Sequence, residues 1–597
     1  MKLKYSDLLV NTLEDFGIEK CFSVTGGTLA HILNSMIDSK IEIIFLRTEQ
    51  ACAMAADAYA RVAKKPALVL VTNGPGVSNT ITGALGAYQD SIPMIIISGQ
   101  NPTNQIILED SKLRQIGVQE AKVDNLVKDV TKNFYRITSD NLEQEILLNG
   151  FNESVSGRNG PVWFEVPIDS QSKTSTYTKK SIKPRKESYK IPEINKIKKL
   201  IKLLKSSQRP IVVVGNGVHI SSTEEYFLKF ITRNNLPFIS TWLTSDIIEF
   251  TNENYIGNFG MLGTRAANLA VQTSDLVLVL GSRLSIPNIG YNTKDFANIA
   301  NIVHVDIDFE ELNKKTLNTN LKINLDLETF FNEINKRSIT FLYRDNIEDW
   351  KKKLLILKNK FDISKEDHFR SKEAINSYDF IESLSNSNIK DSIILTDMGT
   401  SFTCTMQALK NSGSNRLITA SGTSSMGFGL PGAIGAYYAD PSKNIICIAG
   451  DGGFQMNLQE LQTIVQYNIP IKIFLLNNNG YLAISIMQDN LFKGRHIGST
   501  KETGVSSPDF YKLAKAFGIK AKKYKNLSTL DSDINKILSS KDSFLVEITQ
   551  QDEQFMMPRL QSVKNADGSI TSGTLENMWP HLEKDELNMI IQELINC

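Results

Sequence analysis

Two polar turns late in the chain carry the residue types of a metal and phosphate site. Gly450-Asp451-Gly452-Gly453 follows the apolar run Ile445-Ile446-Cys447-Ile448-Ala449, and Asn477-Asn478-Asn479-Gly480-Tyr481 follows Ile471-Lys472-Ile473-Phe474-Leu475-Leu476. Asp451 offers a hard carboxylate oxygen, Asn478 an amide oxygen and Gly480 a backbone carbonyl. These are three ligands of an octahedral Mg²⁺ shell that phosphate oxygens and water would complete. Gly452 and Gly453 remove side chains where backbone N–H groups must approach a phosphate. A lone Gly-Asp-Gly is a common turn, but two such turns behind neighbouring strands form a Mg-diphosphate site.

Those turns need elements that bring them to one edge. Each apolar run reads as a buried parallel strand, and residues 457–465 between them read as an amphipathic helix. The segment is then one strand-helix-strand unit, with both turns beyond the carboxyl ends of its strands. That edge is where open α/β sheets bind ligands. A second acid of interest, Glu49, follows the apolar run 41–46 and opens an Ala-rich helix over 50–61. A Glu in a first helical turn is ordinarily only a favourable dipole contact.

The Asp451–Asn478 bracket resembles the thiamine diphosphate (ThDP) motif of ThDP-dependent enzymes. Arg47-Thr-Glu-Gln-Ala-Cys-Ala-Met-Ala-Ala-Asp-Ala-Tyr-Ala-Arg61 resembles the R-x-E-x-x-A-x-x-A-A-x-x-Y-A-R pattern of the acetohydroxyacid (acetolactate) synthases. The resemblance extends over nearly the whole chain. It implies that Glu49 lies against the aminopyrimidine ring, shifting it toward the imino form that deprotonates the thiazolium C2. Thr72-Asn-Gly-Pro-Gly-Val-Ser-Asn79 is similar to the family's T-x-G-P-G-x-x-N turn, which assigns Thr72, Pro75 and Asn79 to the cofactor. Gln119-Glu120 with Lys132 resembles F-Q-E…T-K, whose Gln and Lys face the substrate; Gly26 of the Thr25-Gly-Gly27 turn joins Glu49, Gln119 and Lys132 in the implied catalytic set. Thr423-Ser-Ser-Met-Gly-Phe-Gly-Leu-Pro-Gly432 resembles the loop in which Met426, beside Ser424, props the bent cofactor. Gly399, Thr400, Ser401, Gly450, Asp451, Gly452, Gly453, Asn478, Gly480, Tyr481 and Leu482 complete the implied cofactor contacts.

The resemblance implies that the C2 carbanion attacks a 2-oxo acid such as pyruvate, that CO₂ leaves, and that the enamine adds to an acceptor carbonyl. It also points to FAD as a candidate second cofactor, on Gly215, Gly217, Gly260, Gly263, Arg265, Gly281, Arg283 and Asp306. Glycines after strands also serve as plain α/β connections, so both readings stand. The pattern departs from the family on the substrate side. Met487 stands where these synthases place an acceptor-selecting Trp, Val118 replaces the Phe of F-Q-E, and Gly399-Thr-Ser-Phe402 replaces G-Q-H-Q. Several segments look more like relatives from surface-polysaccharide synthesis, which keeps transfer of the acetyl unit to a keto-sugar nucleotide open. A non-ligating decarboxylase is a third reading, although the six histidines (His31, His219, His304, His368, His496, His581) include no adjacent pair. A degenerate binding subunit is a fourth.

At 597 residues the chain is long enough for several cores. Lys+Arg 66 against Asp+Glu 65 argues against nucleic acid or an anionic membrane as partner. Five scattered cysteines, no signal-type N-terminus and no membrane-length apolar run predict a cytoplasmic protein. The fold class is α/β, with three doubly wound parallel-sheet domains: a pyrimidine-binding domain over 1–172, a middle domain over 189–337 and a diphosphate-binding domain over 372–555. A basic stretch from 172 to 187 reads as a linker, 350–370 as a charged helical connector, and 556–597 as a tail with a turn at 565–568. The family forms its site between protomers, which implies a homodimer or homotetramer.

Overall fold

The computed structural model describes residues 1–107, 111–179, 193–366, 368, 370–371, 373–551, 554–564, 567 and 569–596. The expected turn at 565–568, apart from Asp567, and the later part of the 172–187 stretch lie outside these.

Three six-stranded parallel sheets form the body of the molecule, each flanked by helices. From edge to edge the first runs Glu42–Phe45, Lys20–Ser23, Ala67–Val71, Met94–Gln100, Pro161–Pro167, Asn133–Arg136. The third repeats that winding with Arg416–Ile418, Ser392–Thr396, Asn444–Gly450, Lys472–Asn477, Phe544–Thr549, Lys520–Tyr524. The second differs: Tyr255–Asn258, Phe238–Ser240, Pro210–Val214, Leu276–Leu280, Asn301–Asp306, Leu321–Asn324. Its chain reverses direction between Pro210–Val214 and Leu276–Leu280, the switch point at which doubly wound sheets open a crevice. The central strands are Val/Ile/Leu runs buried on both faces, as a parallel sheet requires.

Several strands escape the pattern because they are short and mixed: Asn133–Arg136, Phe238–Ser240, Tyr255–Asn258 and Leu321–Asn324. The unit between the two polar turns is not one helix. Gln455–Glu460 is 3₁₀, Asn457 sits off helix at φ −136°, and only Leu461–Tyr467 is α-helical. The basic stretch is not wholly a linker either: Thr174–Thr176 pairs antiparallel with Lys2–Lys4, a bond pattern that needs backbone groups and no apolar side chain. The charged segment forms helix Arg344–Lys360, and its Trp350, Leu354 and Leu357 are buried in the middle domain's core. The tail returns to that same core through Leu560, Leu575, Ile590 and Leu594.

The first and third domains meet through helices of small residues. Helix Glu49–Ala63 lies between Pro75–Asp90 and Gly429–Ala439. A Cβ at Gly83 would sit 2.4 Å from Ala53 Cβ, and one at Gly435 would sit 1.9 Å from the Ala55 carbonyl oxygen. The alanine richness of this helix therefore reflects crowding on two sides. Gly435→Ala is expected to lower stability by about 1–3 kcal/mol through overpacking, read as a shift in the urea midpoint. Charges tie the middle domain to both neighbours. Lys64 donates to Glu224 Oε1 at 2.6 Å, His219 bridges Glu224 and Asp246 at 2.9 Å each, and Asp246 Oδ2 accepts from Arg416 and from the Leu417 N–H.

Candidate functional site

Glu49 is the first residue of its helix, where Thr48 Oγ1 accepts the Ala51 N–H at 3.2 Å and caps it. It is buried, at 9% exposure, and its Oε2 accepts from Asn79 Nδ2 at 3.0 Å. Asn79 projects from helix Pro75–Asp90, which opens on Pro75 at the carboxyl edge of the first sheet. Beside it Thr72 Oγ1 lies 2.9 Å from Thr28 Oγ1, and Gly26 packs so tightly on Thr72 that a Cβ there would come within 2.4 Å. Gln119 reaches this edge with a left-handed backbone, φ 55°, a conformation costing a non-glycine residue about 1–2 kcal/mol. It is held there by its neighbours: the Val118 carbonyl accepts from Asn73 at 2.8 Å and Asn101 at 2.9 Å, and Glu120 accepts N–H groups of Ile107, Ile116 and Gly117. Glu49, Gly26, Thr72, Pro75, Asn79 and Gln119 thus share one edge.

Lys132 does not join them. It precedes strand Asn133–Arg136, at the amino end of the parallel sheet, and its ammonium donates to the carbonyls of Glu153 at 2.6 Å and Ser156 at 2.7 Å. The expectation that it faces the reacting substrate is corrected on that ground, since the candidate acid lies at the carboxyl end.

On the third sheet the two polar turns converge as the strand register demands. Asp451 is 1% exposed; its Oδ2 accepts the Gly480 N–H at 3.1 Å and the Ser507 hydroxyl. Burial pushes its carboxyl up to about 6 despite these donors. Asn478 donates its amide N–H to Gln550 Oε1 at 3.2 Å, which leaves the amide oxygen for another partner. Carboxylate, amide oxygen and main-chain carbonyl are hard donors with a single charge, a set that fits Mg²⁺ shared with a diphosphate. A Cβ at Gly452 would fall 2.3 Å from the Tyr481 ring and 3.5 Å from Met426 Cε, so these three pack together. A Cβ at Gly450 would meet only the Met398 carbonyl oxygen, at 3.9 Å, and Leu482 begins helix Leu482–Phe492 directly after Tyr481. Gly399, at φ 85°, caps helix Thr400–Ala408, where Ser401 Oγ donates to the Met398 carbonyl at 3.1 Å. Ser424 takes φ 53° in the loop that carries Met426.

One residue here escapes the sequence reading. Asp397 is 1% exposed and accepts N–H groups of Met398 at 2.7 Å, Gly427 at 3.0 Å and Gly429 at 3.4 Å, clamping the Met426 loop. A Cβ at Gly453 would lie 2.7 Å from its Oδ1. The signal was present, because an acid directly behind an apolar strand and two residues before a glycine repeats the Asp451 pattern. Burial raises the Asp397 carboxyl to about 6. The folded state therefore binds its proton more tightly than the unfolded chain, and the stability this lends below pH 4 is lost as pH rises through 6. For this group alone the fall across that window should be equivalent to roughly 3 kcal/mol; Asp451 and Asp306, also raised to about 6, add to it in the wild type, so urea midpoints of Asp397→Asn should trace a shallower profile by that share.

A cavity of about 430 Å³ opens at the carboxyl edge of the middle sheet, at its switch point. Gly217, Gly281, Arg283 and Asp306 line it, with Lys64, Asp90 and Arg158 of the first domain and Ser421 of the third. Gly215 and Gly217 pack against Gly281 and Ser282 so closely that a Cβ at either would clash. Asp306 is pushed up to about 6 by burial, and Asp326 Oδ2 is buried without a donor. Glycine turns and acids at a switch point suit a dinucleotide's diphosphate and ribose. Gly260 and Gly263 shape the neighbouring loop, whose Met261 N–H donates to Pro287 of the cavity wall at 2.8 Å. Arg265 is not brought to the cavity. It is 4% exposed and committed to Glu366 and to the carbonyls of Met578 and Pro580 in the tail.

Two doubly wound sheets of one winding, one presenting a buried Glu-Asn pair and the other an Asp-Asn-Gly cradle, with a dinucleotide-type sheet between them, define a ThDP-dependent enzyme. Comparison with known proteins agrees: residues 3–124 match the thiamine pyrophosphate enzyme N-terminal TPP binding domain, 197–334 its central domain and 397–548 its C-terminal TPP binding domain. The chain is 32% identical over 557 residues to a probable acetolactate synthase large subunit of Methanococcus aeolicus, covering 91% of each chain. It is 30% identical over 572 residues to the acetolactate synthase large subunit of Lactococcus lactis, covering 95% of this chain and 96% of that one. Against the Escherichia coli acetolactate synthase isozyme 2 large subunit it is 29% identical over 551 residues. The chain belongs to the acetolactate synthase large-subunit family of ThDP-dependent enzymes, and thiamine diphosphate is its cofactor. No relative named here supports the likeness to polysaccharide-synthesis proteins. No helix among the described residues is long and apolar enough to cross a membrane.

Proposed function

We propose that the protein decarboxylates pyruvate and joins the two-carbon unit to an acceptor carbonyl, forming acetolactate when the acceptor is a second pyruvate. The observation that carries this is the presence of both the Glu49–Asn79 edge and the Asp451–Asn478–Gly480 cradle in a chain of this family. ThDP, when bound, supplies the electron sink for the bond that breaks on loss of CO₂. Asp451, Asn478 and the Gly480 carbonyl would hold Mg²⁺ against its diphosphate, and Met426 with Tyr481 would shape the seat between the two ends. Glu49 would hold and release the proton needed at the aminopyrimidine ring, Asn79 orients that carboxyl, and Gln119 would face the substrate. FAD is the proposed occupant of the middle-domain cavity.

The active unit is proposed to be a homodimer, or a tetramer of such pairs. Both cofactor edges leave large apolar side chains bare in the single chain, with Val118 at 75% and Ile497 at 77% exposure. A pairing that lays one protomer's first domain over its partner's third domain would cover them. The diphosphate-binding role of 372–555 and the pyrimidine-binding role of 1–172 follow from the same reading. The four cysteines among the described residues are buried and free, which suits a reducing, cytoplasmic setting.

Purified protein with ThDP and Mg²⁺, with and without FAD, should convert pyruvate to CO₂ and acetolactate in a ratio of one to one. CO₂ without acetolactate would favour a decarboxylase or another acceptor. No CO₂, with no ThDP binding by calorimetry, would overturn the reading.

A further inference from the structure

Among the described residues Arg559 is a guanidinium without an anion. It is 8% exposed, and among the described residues its side chain has no hydrogen-bond or ion-pair partner. It lies over the Trp579 ring, 4.9 Å from guanidinium carbon to centroid, and main-chain bonds in both directions between Arg559 and Trp579 at 2.9 and 2.8 Å fix the pair. Trp579 in turn meets Phe555 edge-on at 5.8 Å. Desolvation depresses the Arg559 guanidinium below its ordinary value, with only the neutral Tyr378 hydroxyl acting on it electrostatically. Burial this deep leaves the charge poorly solvated although its nitrogens still touch solvent, so an anion arriving from solution would stabilise it.

The place of Arg559 says which anion. Its neighbour Leu560 donates its N–H to the Met261 carbonyl at 2.7 Å, and Met261 is bonded to Pro287 of the cavity wall. Two residues on, Gln561 donates to Asn490 Oδ1 at 3.3 Å. Asn490 lies on helix Leu482–Phe492, one turn beyond Met487 and on the same face. That helix starts at the Asn478–Gly480 turn, so its later turns lead outward from the diphosphate end of the cofactor. The tail thus inserts Arg559 between the outer part of the candidate active site and the middle domain. One planar guanidinium in an apolar, aromatic frame matches a single carboxylate, which it can grip through two parallel N–H bonds.

We propose that Arg559 binds the carboxylate of the acceptor 2-oxo acid, with Trp579 as the floor that holds the guanidinium flat. The inference rests on the carboligation reading above. Its first test does not: the full chain is titrated with oxamate, an unreactive carboxylate of pyruvate's shape, in the absence of ThDP, and tryptophan fluorescence is followed. A saturable change is expected that Trp579→Phe removes, that Arg559→Gln abolishes, and that Arg559→Lys retains with weaker binding. In turnover, Arg559→Gln should raise the half-saturating acceptor concentration by roughly 10- to 100-fold and raise the ratio of CO₂ to acetolactate, with ThDP affinity unchanged. An oxamate response that survives in Arg559→Gln, or an unchanged product ratio, would overturn the proposal. So would dissociation of an oligomer by Arg559→Gln in sedimentation, because the missing anion would then belong to a second copy of the chain. If wild-type protein makes no acetolactate while the oxamate response still requires Arg559, the carboxylate site stands and the carboligation reading fails.

Discussion

Glu49→Gln is expected to lower pyruvate decarboxylation by about 10²–10⁴-fold while ThDP binding stays near the wild-type level. The side chain is almost isosteric, and Gln can still meet Asn79 and keep its place behind the Thr48 cap, so neither the helix nor the edge should change. What it loses is the capacity to hold and release a proton. Rate measured beside ThDP affinity by calorimetry separates this from a packing defect. Equal losses in both would make Glu49 a structural residue of the first domain, and an unchanged rate would move the proton-handling role elsewhere. Asn79→Ala tests the orientation argument, with a smaller loss expected because the carboxyl remains.

Asp451→Asn should weaken Mg²⁺-dependent ThDP binding by roughly 100-fold or more, and with it every catalytic step. Asp451 is the one charged donor of its set; its Oδ2 already accepts the Gly480 N–H and the Ser507 hydroxyl, which anchor the carboxylate in place. The pH dependence sharpens the test. Burial raises the carboxyl to about 6, and a cation must displace its proton to bind. Wild-type Mg²⁺ affinity should therefore fall as pH drops below about 6, whereas the Asn variant should show a weak, flat profile. Retention of wild-type affinity in Asp451→Asn would refute the ligand assignment. Gly452→Ala is a steric counterpart: its Cβ would meet the Tyr481 ring and disturb Met426 without touching the charge.

Much of the fold was legible because buried parallel strands are written as unbroken apolar runs. Pro210–Val214 and Leu276–Leu280 stand where their sequences end them. Edge strands such as Phe238–Ser240 were not legible, since three residues carry no period and their pairing is set by the neighbour. The helix between the polar turns was misread for a related reason. Spacing alone does not show the break at Asn457, whose amide donates to the Gly427 carbonyl at 2.9 Å. Lys132 was placed by motif, and motif does not say at which end of a parallel strand a residue emerges. Arg265 stood among the candidate FAD contacts, but the tail, some three hundred residues later in the chain, occupies it.

By itself the sequence determined the chemistry available at each strand end. An acid, an amide and glycines behind apolar runs, and a glutamate opening an alanine helix, supply the residue types of the proposed Mg-diphosphate cradle and proton-handling carboxyl wherever those ends lie. Only the tertiary structure decided which ends share an edge, that Asp397 clamps the Met426 loop, and that Arg559 is buried with no neutralising partner among the described residues. The division has a physical cause. Strand periodicity and turn chemistry are local, written within a few residues, whereas burial and pairing depend on partners hundreds of residues away that folding alone brings into contact.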